Sequence, residues 1–483
     1  MEKANIGMIG MGVMGENLAM NIESRGFRVA CYDIFAATID KFMAGRGKGK
    51  KFIGTYSLEE FVSSLEKPRI VWIMIKAGDP VDQTIDKLIP LLDKGDIIID
   101  GGNSNYEDTI RRTKKLEEIG LCYTGMGVSG GEEGALHGPC LMPGGSKEAW
   151  KYLKPILTSI SAELKDGSRC CAYIGENGAG HYVKMVHNGI EYGDMQLICE
   201  TYDIMRKVLK IDDGEASKIF KEWNKGRLDS YLIEITGDIL AYKDQDGSNL
   251  VENILDVAGQ KGTGKWASIS ALNEGMPLTL ITEAVYARCL SAIKDERVNA
   301  SKQFAKKAPK ASFDKAAMLE KLEQALYAAK ILSYAQGFSL LRTASKTYNW
   351  NLNYGEIALI FRGGCIIRSA FLGKISEAYK KNKDLTNLML DDYFKDVLSK
   401  SIDGLREVII EAIKNGVPTP TFSAALAYFD GYTSESLPQN LLQAQRDYFG
   451  AHTYERVDAP RGKAHHTNWT GKGGDTTAST YNA

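Results

Sequence analysis

Ile6-Gly-Met-Ile-Gly10-Met-Gly12-Val-Met-Gly15 is a short apolar run that breaks into G-x-G-x-x-G and passes into a helical pattern from Glu16 to Arg25. A second apolar run, Phe27 to Tyr32, ends at Asp33. Strand, glycine turn, helix, strand and terminal acid, with the acid about 20 residues past the glycines, is the layout of a dinucleotide-binding βαβ unit. Gly10 permits the tight turn, Gly12 lets backbone approach a pyrophosphate, and Gly15 allows close helix packing. Cofactor contacts are therefore expected at Gly10, Met11, Gly12, Val13, Met14 and Gly15, and again at Asp33, Ile34 and Phe35.

Asp33 bears on which dinucleotide is bound. A carboxylate at that point accepts hydrogen bonds from the adenosine ribose hydroxyls and repels a 2′-phosphate. Ile34-Phe-Ala-Ala-Thr38 offers no arginine to clamp such a phosphate, which favours NAD over NADP. Two alternatives stay open: Asp33 as a cap for the following helix, and a phosphate reached from a distance by Lys41, Arg46, Lys48, Lys50 or Lys51.

The alternation continues. Arg69 to Ile75 and Asp96 to Asp100 read as buried strands, each followed by a helix, near Pro80 to Leu92 and Tyr106 to Ile119, with a further strand at Leu121 to Thr124. Parallel sheets carry function at the C-terminal ends of their strands. Three loops fall there: Lys76-Ala-Gly78, Gly101-Gly-Asn103-Ser104, and Gly127-Val-Ser129-Gly130-Gly131-Glu132-Glu133-Gly134. The first two are expected to meet the cofactor through Ile75, Lys76, Ala77 and Asn103, although Lys76 also reads as a plain turn residue. The third, with a buried-looking Ser-Gly-Gly-Glu-Glu-Gly-Ala centre, is expected to run as a loop through Gly145, its amides and Ser129 suiting an anionic substrate.

Gly178-Ala-Gly-His181-Tyr-Val-Lys184-Met-Val-His187-Asn188-Gly-Ile-Glu191-Tyr192 carries the chemistry. On a helix, Lys184, Asn188 and Glu191 stand at i, i+4 and i+7, so an amine, an amide and a carboxylate share one face with His187 beside them. Polar pairs at this spacing are common on solvated helices. Here Val183, Met185, Val186 and Ile190 surround the stripe with apolar residues, which places it in a cavity wall. A lysine desolvated there has a depressed pKa and can act as a base near neutral pH.

Beyond about Asn177 helical periodicity takes over. Long helices are expected at Ala179 to Val208, Thr279 to Ala305 and Ser312 to Tyr348, with shorter ones at Ser369 to Lys380 and Asp396 to Lys414. An internal echo, Ile190 to Arg206 before Trp223-Asn-Lys-Gly226 and Leu326 to Arg342 before Phe361-Arg-Gly-Gly364, suggests a duplicated unit. The segment from Pro460 is polar and glycine-rich, so a disordered tail is one reading of it.

Four separated stretches carry a resemblance: Ser129 to Pro139, Lys184 to Gln196, Gly259-Gln-Lys261-Gly-Thr263-Gly-Lys-Trp266, and Arg446-Asp-Tyr-Phe-Gly450-Ala-His452. Together, in order and across nearly the whole chain, they closely resemble the decarboxylating 6-phosphogluconate dehydrogenases. The resemblance implies oxidation of 6-phosphogluconate at C3 with hydride transfer to NAD(P), NADP being the family norm. Loss of CO2 then gives ribulose 5-phosphate, a step of the pentose phosphate pathway. It implies Lys184 as general base on the C3 hydroxyl and Glu191 as the acid that protonates C1 of the enediol. Asn103, Ser129, Gly130, Gly131, His187 and Asn188 would orient the sugar acid. Tyr192, Lys261, Thr263 and Arg288, joined by Arg446 and His452, would contact sugar and phosphate. Read alone, Arg288 would be a helix-surface charge and His452 a structural residue. The loop at Lys261 and Thr263 suits a phosphate on its own chemistry.

The resemblance also implies an architecture: an α/β N-terminal Rossmann-type domain over 1–177, a large all-α substrate and dimerisation domain with a pseudo-repeat over 178–435, and a C-terminal tail over 436–483 that reaches a partner subunit. A homodimer with shared active sites is thus expected. The chain departs from the family where a nonglycine residue commonly replaces Gly12, and where Asp33-Ile34-Phe35 stands in place of Asn-Arg-Thr. Both departures touch the cofactor site alone.

Composition narrows the alternatives. With 60 basic and 61 acidic side chains there is no global field to draw nucleic acid or a membrane surface. No 18-residue apolar run or signal peptide is evident, and eight scattered cysteines without C-x-x-C fit reduced thiols in the cytoplasm. Six histidines without ligand spacing lead us to expect no catalytic metal. Two other functions remain: a related β-hydroxyacid dehydrogenase such as one acting on 3-hydroxyisobutyrate, and a non-catalytic dinucleotide-binding protein. The long helical domain and the Lys261 loop argue against the first. Retention of both Lys184 and Glu191 argues against the second.

Overall fold

The apolar runs between glycine turns become strands β1 (Ile6–Ile9), β2 (Val29–Tyr32), β3 (Phe52–Gly54), β4 (Ile70–Ile73), β5 (Ile97–Asp100), β6 (Cys122–Ser129) and β7 (Cys140–Gly145). They come from a computed structural model that describes residues 2–304, 313–473 and 476–478. The sheet runs β3-β2-β1-β4-β5-β6-β7, parallel from β3 through β6, with β7 antiparallel to β6. Chain order reverses between β1 and β4, whose last residues Ile9 and Ile73 are paired. The loops leaving them diverge and open a crevice at the strand ends, the usual ligand position in such sheets. Ile6, Met8, Trp72 and Ile97 pack into a core on one face, and Ile9, Val71, Ile73 and Ile98 into a core on the other. Burial on both faces is why these strands read as unbroken apolar runs.

The third expected loop is not a loop. β6 extends to Ser129, a short helix follows at Gly131–His137, and β7 returns along β6. The centre of that stretch is buried only at its ends: Ser129 and Ala135 are buried, while Gly131, Glu132 and Glu133 are exposed. Glycines hid the strand alternation, and they are there for contact. A Cβ on Gly127 would come within 2.4 Å of Lys184 Cβ, and one on Gly180 within 2.3 Å of the Gly125 carbonyl. The helix Ala179–Lys207 is thereby pressed directly onto β6 and β7. β3 went unforeseen because the basic run before it masks its three residues.

Helix Ala179–Lys207 matches its expected extent, as do Leu372–Lys381 and Asp392–Lys414 to within a few residues. The single helix expected from Thr279 is two, Thr279–Ala292 and Lys294–Gln303, broken at Ile293 (ψ 49°); its expected end, Ala305, lies outside the described residues. The next runs Lys315–Thr347, and Ser312, where it was expected to begin, also lies outside them. The internal echo has a physical form. Each long helix, Ala179–Lys207 and Lys315–Thr347, is followed by a short helix, a turn and another helix. The two turns pair, Tyr231 N–H donating to Arg368 O (3.1 Å) and Ala370 N–H to Asp229 O (2.9 Å). Between the long helices Lys330 Nζ meets Asp194 at 2.5 and 2.6 Å, both groups fully buried.

Contacts divide the chain into two units, Met1–Ala425 and Leu426–Ala483. In the second, helix Gln439–Gly450 is followed by a small hairpin of Tyr454–Glu455 and Ala464–His465. The described part of the tail is tied by His466, Thr467 and Trp469 to Asp447; residues 474–475 and 479–483 lie outside the description. No helix among the described residues is long and apolar enough to cross a membrane.

Candidate active site

A cavity of about 550 Å³ opens at the C-terminal ends of the strands. Its wall includes Met14 from the glycine motif, Met74 after β4, Asn103 after β5, Ser129 at the end of β6 with Gly130 and Gly131 after it, and Lys184, Asn188, Glu191 and Tyr192 from one helix face. Lys261, Thr263 and Arg288 close the far side. Residues from seven separate stretches thus converge on one space. Arg446 and His452 belong to the second unit.

Lys184 is buried, and burial lowers the pKa of its amine while the nearby Glu191 carboxylate partly opposes the shift. Helical periodicity set the shared face; the desolvation comes from β6, through the absent side chain of Gly127. Glu191 sits nearer solvent, its Oε2 3.8 Å from His187 Nδ1.

His187 is fully buried, with Nδ1 2.9 Å from Asn188 Oδ1 and Nε2 3.1 Å from Ser129 Oγ and 2.8 Å from Cys365 Sγ. An amide oxygen can only accept, so Nδ1 carries the proton, leaving Nε2 to accept from the hydroxyl or thiol. Asn188 Nδ2 then donates to Thr263 Oγ1 (2.9 Å). A single chain of hydrogen bonds therefore joins the end of β6 to the loop at Lys261. Thr263 opens helix Thr263–Asn273, whose N-cap Gly262 lies in the left-handed region at φ +96°. Free first-turn amides beside Lys261 make an anion cradle. Arg288 is no idle surface charge: its guanidinium lies 3.5 Å from the centroid of the Tyr192 ring and donates to Gly259 O (3.0 Å).

The Asn103 loop is held from beneath. Asp100 accepts from Gly102 N–H (3.1 Å) and Ser104 Oγ (2.6 Å), and buried Arg112 spans from Asp100 to Asp82 (2.7 Å) and the Gly78 carbonyl (3.1 Å). Loops after β4 and β5 are fixed to one another by this guanidinium.

The glycine turn fits a dinucleotide. Gly10 has φ +93°, and a Cβ on Gly15 would fall 1.9 Å from Gly10 O, so both must be glycine. Nothing lies within 4 Å of a Cβ on Gly12, so that position has room for a side chain. Helix Val13–Ser24 has no side-chain N-cap, leaving its first amides for a pyrophosphate. Met11 turns its side chain into the core, offering backbone alone. Its N–H donates to Asp33 Oδ2 (2.8 Å), and Phe35 N–H donates to Asp33 Oδ1 (3.0 Å). Asp33 is thus a backbone brace as well as a carboxylate with lone pairs to spare. Val13, Ile34 and Phe35 are exposed, Ile75 and Ala77 partly so, and Lys76 projects to solvent. Of the basic group, Arg46 is engaged by Glu16 (2.7 Å) and Asn17 (2.9 Å), and Lys50 by Glu23 (3.5 Å).

Sequence reading passed over Met74, Gly101, Val128, Gln260 and Ile366 in the cavity wall, and Cys365 against His187. Cys365 and Ile366 directly follow Phe361-Arg-Gly-Gly364, a stretch whose sequence signal is that of a repeat.

Residues 5–175 match the family described as the NAD binding domain of 6-phosphogluconate dehydrogenase, and residues 180–469 the 6-phosphogluconate dehydrogenase C-terminal domain. The chain is 56% identical over 479 residues to the decarboxylating 6-phosphogluconate dehydrogenase of Aggregatibacter actinomycetemcomitans, covering 99% of each protein. It is 55% identical to the mouse protein of the same description over 486 residues, covering 100% of both. A solved structure of Plasmodium falciparum 6-phosphogluconate dehydrogenase, described in apo form and with NADP+ and with 6-phosphogluconate, superposes with a TM-score of 0.93. That protein is 47% identical, and the match covers 96% of this chain and 100% of the other.

Proposed function

The chain belongs to the decarboxylating 6-phosphogluconate dehydrogenase family, and on that footing we propose that it oxidises 6-phospho-D-gluconate to D-ribulose 5-phosphate and CO2. The observation that carries the reading is the buried Lys184 sharing a cavity-facing helix face with Glu191, between a dinucleotide crevice and a phosphate cradle. Bound NAD(P) supplies the hydride acceptor. Neutral Lys184 takes the proton of the C3 hydroxyl as hydride leaves C3. The resulting 3-keto acid has its ketone β to the carboxylate, and the Lys184 ammonium polarises that ketone so that CO2 departs with no metal required. Glu191 then gives a proton to C1 of the enediol. Asn103, Ser129, Gly130, Gly131, His187 and Asn188 orient the sugar acid, and Tyr192, Lys261, Thr263 and Arg288 receive its phosphate end.

For the cofactor, the carboxylate of Asp33 repels a 2′-phosphate, Ile34 and Phe35 beside it are apolar and exposed, and Arg46 is already engaged by Glu16. NAD is therefore used beside or ahead of NADP. Supplying 6-phosphogluconate with each cofactor, while following absorbance and CO2, tests both claims. Reduction with CO2 release is expected, with kcat/KM for NAD at least equal to that for NADP. A strong NADP preference would refute the part given to Asp33, and oxidation without CO2 would point to a simple β-hydroxyacid dehydrogenase.

Glu191→Gln should slow the protonation of C1 by about 10²-fold or more. It should also move the acid limb of the kcat/KM profile to lower pH. The sign follows from Coulomb attraction: the carboxylate raises the Lys184 pKa, and a neutral amide cannot. A limb that stays in place would remove Glu191 from the neighbourhood of the base.

The functional division is 1–177 for the dinucleotide, 178–435 for the substrate and the dimer contact, and 436–483 for an arm that brings Arg446 and His452 to the partner subunit's site. Exposed Leu255, Leu272, Tyr286 and Leu290 in the first unit, and Leu441 and Phe449 in the second, support a homodimer, since so many apolar side chains want cover. Eight free cysteines support a reducing, cytoplasmic setting.

A further inference from the structure

We propose that Asp447 is the positioning residue of the C-terminal arm, holding Arg446 and His452 in the geometry in which they meet substrate. The inference rests on the reading above that these two side chains serve the partner subunit's site.

The second unit has little apolar interior, and Leu441, Leu442, Tyr448, Phe449 and Val457 all lie at its surface. What it has instead is one fully buried carboxylate. Asp447 Oδ1 accepts from Thr453 N–H (2.9 Å) and His466 Nδ1 (2.9 Å); Oδ2 accepts from Thr467 N–H (3.0 Å) and Trp469 Nε1 (2.9 Å). A carboxylate can only accept, so all four groups donate to it, and they come from the turn after the helix and from the far side of the hairpin. Segments that no hydrophobic core could gather in so small a unit are gathered by charge-assisted hydrogen bonds.

The consequence for the neighbouring residues is direct. Between Asp447 and Thr453 the chain reverses through Ala451 (φ +50°) and Thr453 (φ +60°), left-handed conformations that persist only where surroundings impose them. His452 stands between these two, its ring edge-on to Phe449 with centroids 6.0 Å apart. The same turn reaches Arg446 by a second route. Gln443 Nε2 donates to the Thr453 carbonyl (2.6 Å), while Gln443 Oε1 accepts from Arg446 Nη1 (3.3 Å). Thr453, fixed by Asp447, is thus the common anchor of the histidine and the arginine.

Asp447→Asn keeps the volume but offers one accepting oxygen where two are needed and sets an amide N–H₂ against N–H donors. In the full-length enzyme, KM for 6-phosphogluconate should rise about tenfold or more, as for a displaced bidentate phosphate contact, with KM for the cofactor within about twofold of the parent. Trp469→Phe, which deletes one donor, should shift the same constant in the same direction by less, and Asp447→Glu should recover part of the loss. Should Asp447→Asn fail to fold, Trp469→Phe decides alone. An unchanged KM for 6-phosphogluconate in both Asp447→Asn and Trp469→Phe, or equal loss for substrate and cofactor, would overturn the proposal. Hybrid dimers of Lys184→Met with Arg446→Ala chains test the underlying reading separately, because one of their two sites has both residues intact. Recovered activity in the hybrids beside an unperturbed Asp447→Asn would sink Asp447 alone. Absence of recovery beside a raised KM would keep Asp447 as the positioning residue and return Arg446 to its own subunit's site.

Discussion

Replacing Lys184 with methionine should leave dinucleotide binding intact and lower kcat for oxidation by about 10³- to 10⁴-fold, some 4 to 5 kcal/mol of barrier. Methionine, unbranched and one atom shorter, fills most of the same space beside Gly127 without a basic atom. The size of the effect follows from what burial does to the amine. A lysine at its ordinary pKa of about 10.4 is neutral in only about one molecule in 2,500 at pH 7. Burial of Lys184 lowers that pKa and so enlarges the free-base share over that of an exposed lysine. The sign gives a second measurement: activity must rise with pH through the depressed pKa and fall below it as the amine takes up a proton. A Lys184→Met enzyme with near-normal kcat, or one that keeps the acid limb, would show that another group is the base.

Ending the chain before Gln445 should abolish turnover. In the role proposed above, Arg446 and His452 each make a charge-assisted contact to a phosphate; truncation removes both, and at roughly 1.5–3 kcal/mol each this amounts to about 10²- to 10⁴-fold in kcat/KM. The first unit, Met1–Ala425, holds the nucleotide crevice, Lys184 and the phosphate cradle, so circular dichroism should report a retained helical fold while activity disappears. A truncated chain that is monomeric and fully active would reject both the dimer and the shared site.

How much of this was legible beforehand depends on how far apart in the chain the interacting groups lie. The glycine turn, the two strands around it and Asp33 span fewer than 30 positions, and their order alone announces the crevice. Lys184, Asn188 and Glu191 are placed on one face by 3.6-residue periodicity, which any reader of the chain can count. The strand Cys140–Gly145 was not legible, because Gly144, pressed against Gly180 of a helix distant in sequence, and Gly145, against the backbone of Tyr123 in the neighbouring strand, erase the alternation that marks a strand. The contact of Cys365 with His187 joins positions 178 apart, and no periodicity reports it. Family resemblance reached Arg288 and Thr263 where spacing could not, yet the stacking of Arg288 on Tyr192 and the bond from Asn188 to Thr263 appear only in three dimensions.

The chain by itself therefore determined which side chains stand together on each helix and which turn approaches a pyrophosphate, because those relations are local and set by backbone geometry. Tertiary structure alone decided that Lys184 is dry, that one hydrogen-bond chain crosses from Ser129 to Thr263, and that a tail rich in glycine and polar residues closes on Asp447. Desolvation and hydrogen-bond satisfaction are sums over neighbours brought from distant parts of the sequence, so they exist only once the fold has assembled them.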